Sequence, residues 1–553
     1  MMNNGHRNRL LWIFAVVLTA GPLSAAEPTT KPAPGRIRLT VSRKTTHILG
    51  PVNKDGTVNY AAYLNAKRSK GVTKANNAAI PLIEILGPNF LPKGVRGKMC
   101  KMLQIKLPAK GIYTSVSAYA EQTSNGQDVG DWVEYEDLDK AISTPWKPKR
   151  YPVMAKWLEV NDAALNATLV AVRRARYHVP IFMSSPDADV LTLAIPNVQP
   201  FLGLANALGA RAMLKFDSGD MRGAWADLMA MKRLARRVGS GYTLIENTIG
   251  MALERTACST CNAMAGSEKL TGAQALAFLV DMQRIGPTPD PMNVFTEGER
   301  LFSLDFMMLL ARASNRKGLT GFKAALKSAY VTDRVLALIP PAMPHMRSLD
   351  WDVILTTENR SHDDFLKAAG PKTFKARKEA LTVFYRNANA SNLQINKSLE
   401  FWSAKLKRPS DASARDRKQL TARAVSQMIG NLLTVGLEHG LKEIGLVMPK
   451  DYGRRVLTTR DRTRTQSDLS VVAMALAAYR AEKKAYPDKL SQLAPGYLKK
   501  VPDDLFIDKP FGYKQTEKGY LLYSVGENMK YDGEKKKEDD EDEIRDDIVV
   551  RVE

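Results

Sequence analysis

Over most of the chain apolar residues return at every third or fourth position, the period of a helix with one buried face, and over a few short stretches they alternate with polar ones, the period of a strand. The helical spacing predicts helices at 59–70, 76–86, 161–176, 200–215, 221–238, 243–264 and 271–285, with Asn59 placed to cap the first. Short connections make the later ones antiparallel hairpins. Alternation at 36–41, with Ile37, Leu39 and Val41 on one face, predicts a strand that pairs with 45–49 in a small N-terminal sheet. Toward the other end, Ser467-Asp468 reads as the start of a helix carrying Leu469, Val472, Ala473, Leu476 and Tyr479 on one face. Pro487 stops that helix at Tyr486. Alternation then predicts a hairpin of strands at 511–514 and 519–525, and a third strand at 548–552 that makes the sheet viable. The expected fold class is mainly α, built of helical hairpins, with a small N-terminal sheet and a C-terminal α+β unit.

Breaks in the pattern divide the chain. Arg7 and Arg9 precede an apolar run at 10–20, and Ser24-Ala25-Ala26 offers a small-residue cleavage site, so 1–26 reads as a secretory signal peptide and the protein as exported, periplasmic or extracellular. A proline-rich linker occupies 27–35, and a mostly helical region with short strands occupies 36–152. Helical hairpins fill 153–285, up to the three prolines Pro287, Pro289 and Pro291, and a second helical region fills 292–450. The C-terminal α+β unit is 460–553, with an acidic loop. After the signal peptide no stretch is apolar enough to span a bilayer; the best, 428–447, is interrupted by Glu438, His439, Lys442 and Glu443.

The run Tyr486-Pro487, Leu490, Leu493, Tyr497-Leu498, Val501-Pro502, Phe506 and then residues 519–526 (GYLLYSVG) resembles the globular part of the major pseudopilin of type II secretion systems. The likeness covers under a fifth of the chain. It implies a calcium site in the loop after the last of these residues, and Asn528, Asp532, Asp546 and Asp547 fall at the matching places, with Ile548 returning to the sheet. Leu505 stands where that family usually has proline and Met529 where it often has glycine, and a charged insert at 534–543 separates the ligand candidates. Several carboxylates with an amide carbonyl suit a hard cation; a solvated acidic tail is the other reading of the same residues. Gly241-Tyr242-Thr243-Leu244-Ile245-Glu246 also looks like a prepilin cleavage motif, but Glu254 and Arg255 interrupt the stretch after it, where that family has an unbroken apolar helix, so it reads as a coincidence.

The formal charge is +23 over 553 residues, two of the positive charges lying in the signal peptide. Such a surplus favours acidic surfaces, though the basic residues are scattered and no nucleic-acid motif occurs among them. Three cysteines include Cys258 and Cys261 as C-x-x-C within a helical, alanine-rich stretch, where packing is the expectation rather than redox chemistry. No P-loop, G-x-S-x-G or H-E-x-x-H pattern occurs. The expected function is therefore a noncatalytic envelope or assembly protein that binds a protein partner. Two alternatives stay open: a metal-dependent hydrolase using His345, Asp350, Asp352, His362, Asp363 and Asp364, and a binder of polyanions or membrane surfaces.

Overall fold

In the computed structural model the described residues are 37–123, 135–183, 195–328, 349–405, 425–427, 429–430, 452–533 and 546–552. The signal peptide, the linker, His345, the apolar stretch 431–447 and the charged insert lie outside them. The described chain is mainly helical, with small antiparallel sheets near the C terminus. In chain order the helices are α1 (Tyr60–Ser69), α2 (Ala79–Leu86), α3 (Arg96–Leu103), α4 (Val116–Thr123), α5 (Tyr135–Ser143), α6 (Pro152–Val160), α7 (Asp162–Ala171), α8 (Pro200–Asp217), α9 (Met221–Gly239), α10 (Leu244–Gly266), α11 (Gly272–Ile285), α12 (Arg300–Ser328), α13 (Trp351–Ala369), α14 (Phe374–Lys405) and α15 (Tyr452–Lys483). None of them is long and apolar enough to cross a membrane.

The expected N-terminal sheet is absent from the described residues. Its backbone groups find other partners: Ile37 N–H donates to the Asp55 carbonyl at 3.0 Å, and a lone bridge joins Val52 to Val58. At 42–48 the hydroxyls take over, with Thr46 Oγ1 donating to the Ser42 carbonyl at 2.9 Å and Thr45 N–H to Ser42 Oγ at 3.2 Å. Side chains that bond the local backbone this way compete with a sheet ladder, and here they prevail over the alternating pattern. The segment is held instead by Asp55, whose carboxylate meets Arg312 of α12 at 3.0 Å.

Local chemistry sets the ends of the hairpin helices. Asn59 accepts from Ala62 N–H to begin α1, and Asp220 accepts from Gly223 N–H to begin α9. Thr243 and Glu246 form a reciprocal capping box at the start of α10. That box accounts for the prepilin-like motif: the Glu246 carboxylate folds back over Gly241, where an added Cβ would lie 2.2 Å from it. Beside it α9 and α10 approach closely, since a Cβ on Gly250 would sit 2.5 Å from the Gly239 Cα.

The predicted start at Ser467 falls in the middle of a helix. α15 begins at Tyr452, and Ser467 Oγ, rather than capping, donates to Glu254 Oε1 at 3.0 Å. α15 packs along α10 and α11 and also meets the C-terminal strands, and Leu469, Val472, Ala473 and Leu476 are all fully buried there. One apolar core accordingly runs from Ala78 through the hairpins and α15 to Val550 in the last strand. Two smaller cores gather α1 with α12 and α13, and α13 and α14 with the start of α15.

After α15 come β1 (Asp503–Asp504) with β2 (Lys509–Pro510), and an antiparallel sheet of β3 (Gly512–Gln515), β4 (Tyr520–Ser524) and β5 (Ile548–Val552) in that order. Tyr520 pairs with Val552 and Ser524 with Ile548. The period of two puts Tyr520, Leu522 and Ser524 fully inside, and Val549 outside.

Candidate metal centre

The loop after β4 is tied down before it reaches its acids. Asp504 is buried and accepts from Ser524 Oγ at 2.9 Å, Val525 N–H at 3.0 Å and Phe506 N–H at 3.0 Å, fixing the end of β4. Gly526 then turns the chain at φ +64°, against the Asp546 carbonyl, which a Cβ would approach to 2.3 Å. Met529 also lies in the left-handed region, at φ +61°.

These turns bring Asp532 beside Asp546 and Asp547 at the root of β5. One carboxylate oxygen from each lies within 4.8 Å of the others, a spacing that can hold a metal ion. Each carboxylate also accepts a backbone N–H: Asp546 N–H donates to Asp532 at 3.2 Å, Asn528 N–H to Asp546 at 2.9 Å and Asp532 N–H to Asp547 at 3.0 Å. Asp546 Oδ1 and Asp547 Oδ1 are buried and have no hydrogen-bond donor. Asn528 Nδ2 donates to both oxygens of Asp532, at 2.9 and 3.0 Å, while its Oδ1 accepts from Lys530 N–H, so in this arrangement its amide orients the Asp532 carboxylate.

Burial raises the carboxyl pKa of Asp546 and of Asp547, the backbone donors pull both back, and neighbouring acids add to the rise. The cationic side chains nearby donate to carbonyl oxygens, Arg462 to that of Asp546 and Lys378 to that of Glu527, each at 3.0 Å, and the Arg462 charge, which also lies 3.7 Å from the Glu527 carboxylate, pulls Asp546 down in part. A cation among the three carboxylates would remove the repulsion and give the two orphan oxygens a partner.

No protein-family model, no curated protein and no solved structure matches this chain.

The alternative histidine and aspartate cluster does not converge among the described residues. Asp350 caps α13 by accepting from Val353 N–H, Asp352 accepts from Thr40 N–H, and Asp363 pairs with Arg300 at 2.6 Å. His362 sits 3.3 Å from Glu358 one turn earlier on the same helix, and Asp364 is exposed.

A second ionic centre has no counterpart in the sequence motifs. Between α9 and α10, Lys232 Nζ lies 2.7 Å from Glu254 Oε1, and Arg236 bonds the other oxygen. Glu254 is fully buried, and the two cations hold its pKa down at about 2 against burial, which alone would raise it. Cys258 and Cys261 are free and buried, with the Cys258 sulfur 3.8 Å from Lys232 Nζ and the Cys261 sulfur 3.7 Å from the Met282 sulfur. Burial raises both thiol pKa values, Cys261 to about 12, the setting of packing cysteines rather than nucleophiles. The helical spacing marks Lys232 and Glu254 as inward facing, but a single sequence does not say that they face each other.

Proposed function

We propose that the chain is an exported, noncatalytic interaction protein of the cell envelope, whose C-terminal α+β unit is closed by calcium and docks to a protein partner. The observation that carries the calcium reading is the pair of buried, donorless oxygens, Asp546 Oδ1 and Asp547 Oδ1, beside Asp532. Three carboxylates with water completing the shell suit calcium, which takes six to eight oxygens at flexible geometry. The likeness to the pseudopilin loop supports the same reading. Met529 adopts the left-handed backbone at the position where that family often has glycine. The reading of export rests on the basic and apolar pattern of the first 26 residues.

Calorimetric titration of calcium into the full chain, with melting curves in calcium and in chelator, tests the metal. Heat of binding and a higher melting temperature are expected, both lost in D532N/D547N. No heat and superimposable melting curves would sink the calcium reading. Cell fractionation with N-terminal sequencing tests export, and a protein that stays in the cytoplasm with Met1 in place would refute it.

A further inference from the structure

Several arginines drawn into this protein face a carboxylate: Arg211 meets Asp227 at 2.6 Å, Arg312 meets Asp55 at 3.0 Å, and Arg460 meets Asp461 at 2.7 Å. Arg233 and Arg237 do not. They stand one turn apart on the same side of α9, half-buried, with no carboxylate hydrogen-bonded to either among the described residues. The Arg237 Nε–H is buried without an acceptor. Arg173, just past the end of α7, which packs on α9, adds a third positive charge acting on Arg233. The acidic group that acts on Arg233 is Asp281, and its Oδ2 already accepts from Trp225 Nε1 at 3.0 Å.

We propose that Arg173, Arg233 and Arg237 form a binding site for a phosphate-type oxyanion. Guanidinium forks present paired N–H donors in a plane, which match the oxygens of phosphate, and charge-assisted bonds to such an ion would satisfy the orphan donor. Burial first, and then the neighbouring guanidinium, hold Arg233 and Arg237 below the ordinary arginine value, which an oxyanion would offset. The ligand is a phosphoryl group, free in solution or carried on a lipid headgroup. The inference is independent of the calcium reading, since the residues lie on other elements.

The test is calorimetric titration of the full chain with inorganic phosphate at constant ionic strength, beside sedimentation with vesicles containing or lacking phosphatidate. Three variants accompany the wild type: R233Q/R237Q, R233K/R237K, which keeps the charge but not the fork, and R222Q, which removes an exposed charge from the same helix. Affinity is expected to fall at least about tenfold in the glutamine pair and less in the lysine pair, with R222Q unchanged. The glutamine pair should melt no lower than wild type without phosphate, because its repulsion is gone. Phosphate binding without vesicle binding assigns a soluble ligand, and vesicle binding that needs phosphatidate and both arginines assigns a headgroup. Neither kind of binding in the wild type, or equal losses in R222Q, would overturn the proposal.

Discussion

Glu254 is a carboxylate taken fully out of water and Asp546 and Asp547 are carboxylates taken partly out of it, and their pKa values move in opposite directions. At Glu254 the chain supplies two cations from the facing helix, and the acid is held down at about 2. At the root of β5 it supplies backbone N–H groups and a third carboxylate, and the pKa values rise. Burial raises both, and more so at Glu254, so what decides is the partner within reach. A centre with its own counter-charges is finished by folding, whereas one in which three carboxylates gather with a single guanidinium nearby has room for an added cation.

The largest effect should come from breaking the finished centre. Glu254→Gln leaves Lys232 and Arg236 buried without their counter-charge and should lose about 3–5 kcal/mol in denaturant unfolding. Adding Lys232→Met to it should recover part of the loss; no recovery would mean the charges do not act as a pair. The native contribution of Glu254 has the sign of a lowered acid. It is present above the ordinary glutamate range and is lost as pH falls toward 2.

Calcium is the next largest. At a hundredfold excess over the dissociation constant it should add about 2.7 kcal/mol, absent from D532N/D547N. The pH dependence should also reverse. Without metal, the raised values of Asp546 and Asp547 make their contribution greatest below the ordinary aspartate range, and it is lost as pH rises through the folded values. With metal the carboxylates are held ionised, and stability should rise with pH over that interval. Melting curves at several pH values, with calcium and with chelator, measure both slopes.

Asp468 sharpens the comparison from inside the helical region. It lies on α15, is pushed up to about 6 by burial, and has only the charge of Arg464 pulling it back. Asp468→Asn should stabilise the chain by about 2 kcal/mol at pH 8 and by little at pH 4, where the native acid is already protonated. An equal gain at both pH values would show that the charge is not the cause. The smallest effect is expected at Met529. Replacement by glycine relieves the left-handed backbone, worth about 1 kcal/mol, against lost packing and a freer unfolded chain, so melting should move by a degree or two at most.

Much of the fold is legible wherever a cap or a breaker punctuates the period. The starts of α1, α9 and α10 are set by Asn59, Asp220 and Thr243, whose side chains bond their own helix. β4 is marked by an apolar run between turns and β5 by alternating burial, with Ile548 and Val550 inside and Val549 and Arg551 outside. Where the pattern misleads, a contact distant in sequence has intervened. Ser467 has the chemistry of a cap, but Glu254, 213 residues earlier, takes its hydroxyl. The apolar alternation at 36–41 is real, yet Asp55 and the hydroxyls at 42–46 claim the backbone first. At the candidate metal centre the sequence marks Asp532, Asp546 and Asp547 through a family likeness, but not that their carboxylates meet or that Asn528 turns its amide nitrogen to Asp532.

By itself the sequence determined the helical period, the caps of α1, α9 and α10 and the supply of carboxylates near the C terminus, because these depend on residues within a turn or two of one another. Tertiary structure decided that α15 lies between the hairpins and the sheet, that Glu254 has its cations, and that Asp532 meets Asp546 and Asp547 across the insert. Each of those depends on which surfaces face each other after folding, and desolvation and Coulomb energies are set by that distance rather than by spacing along the chain.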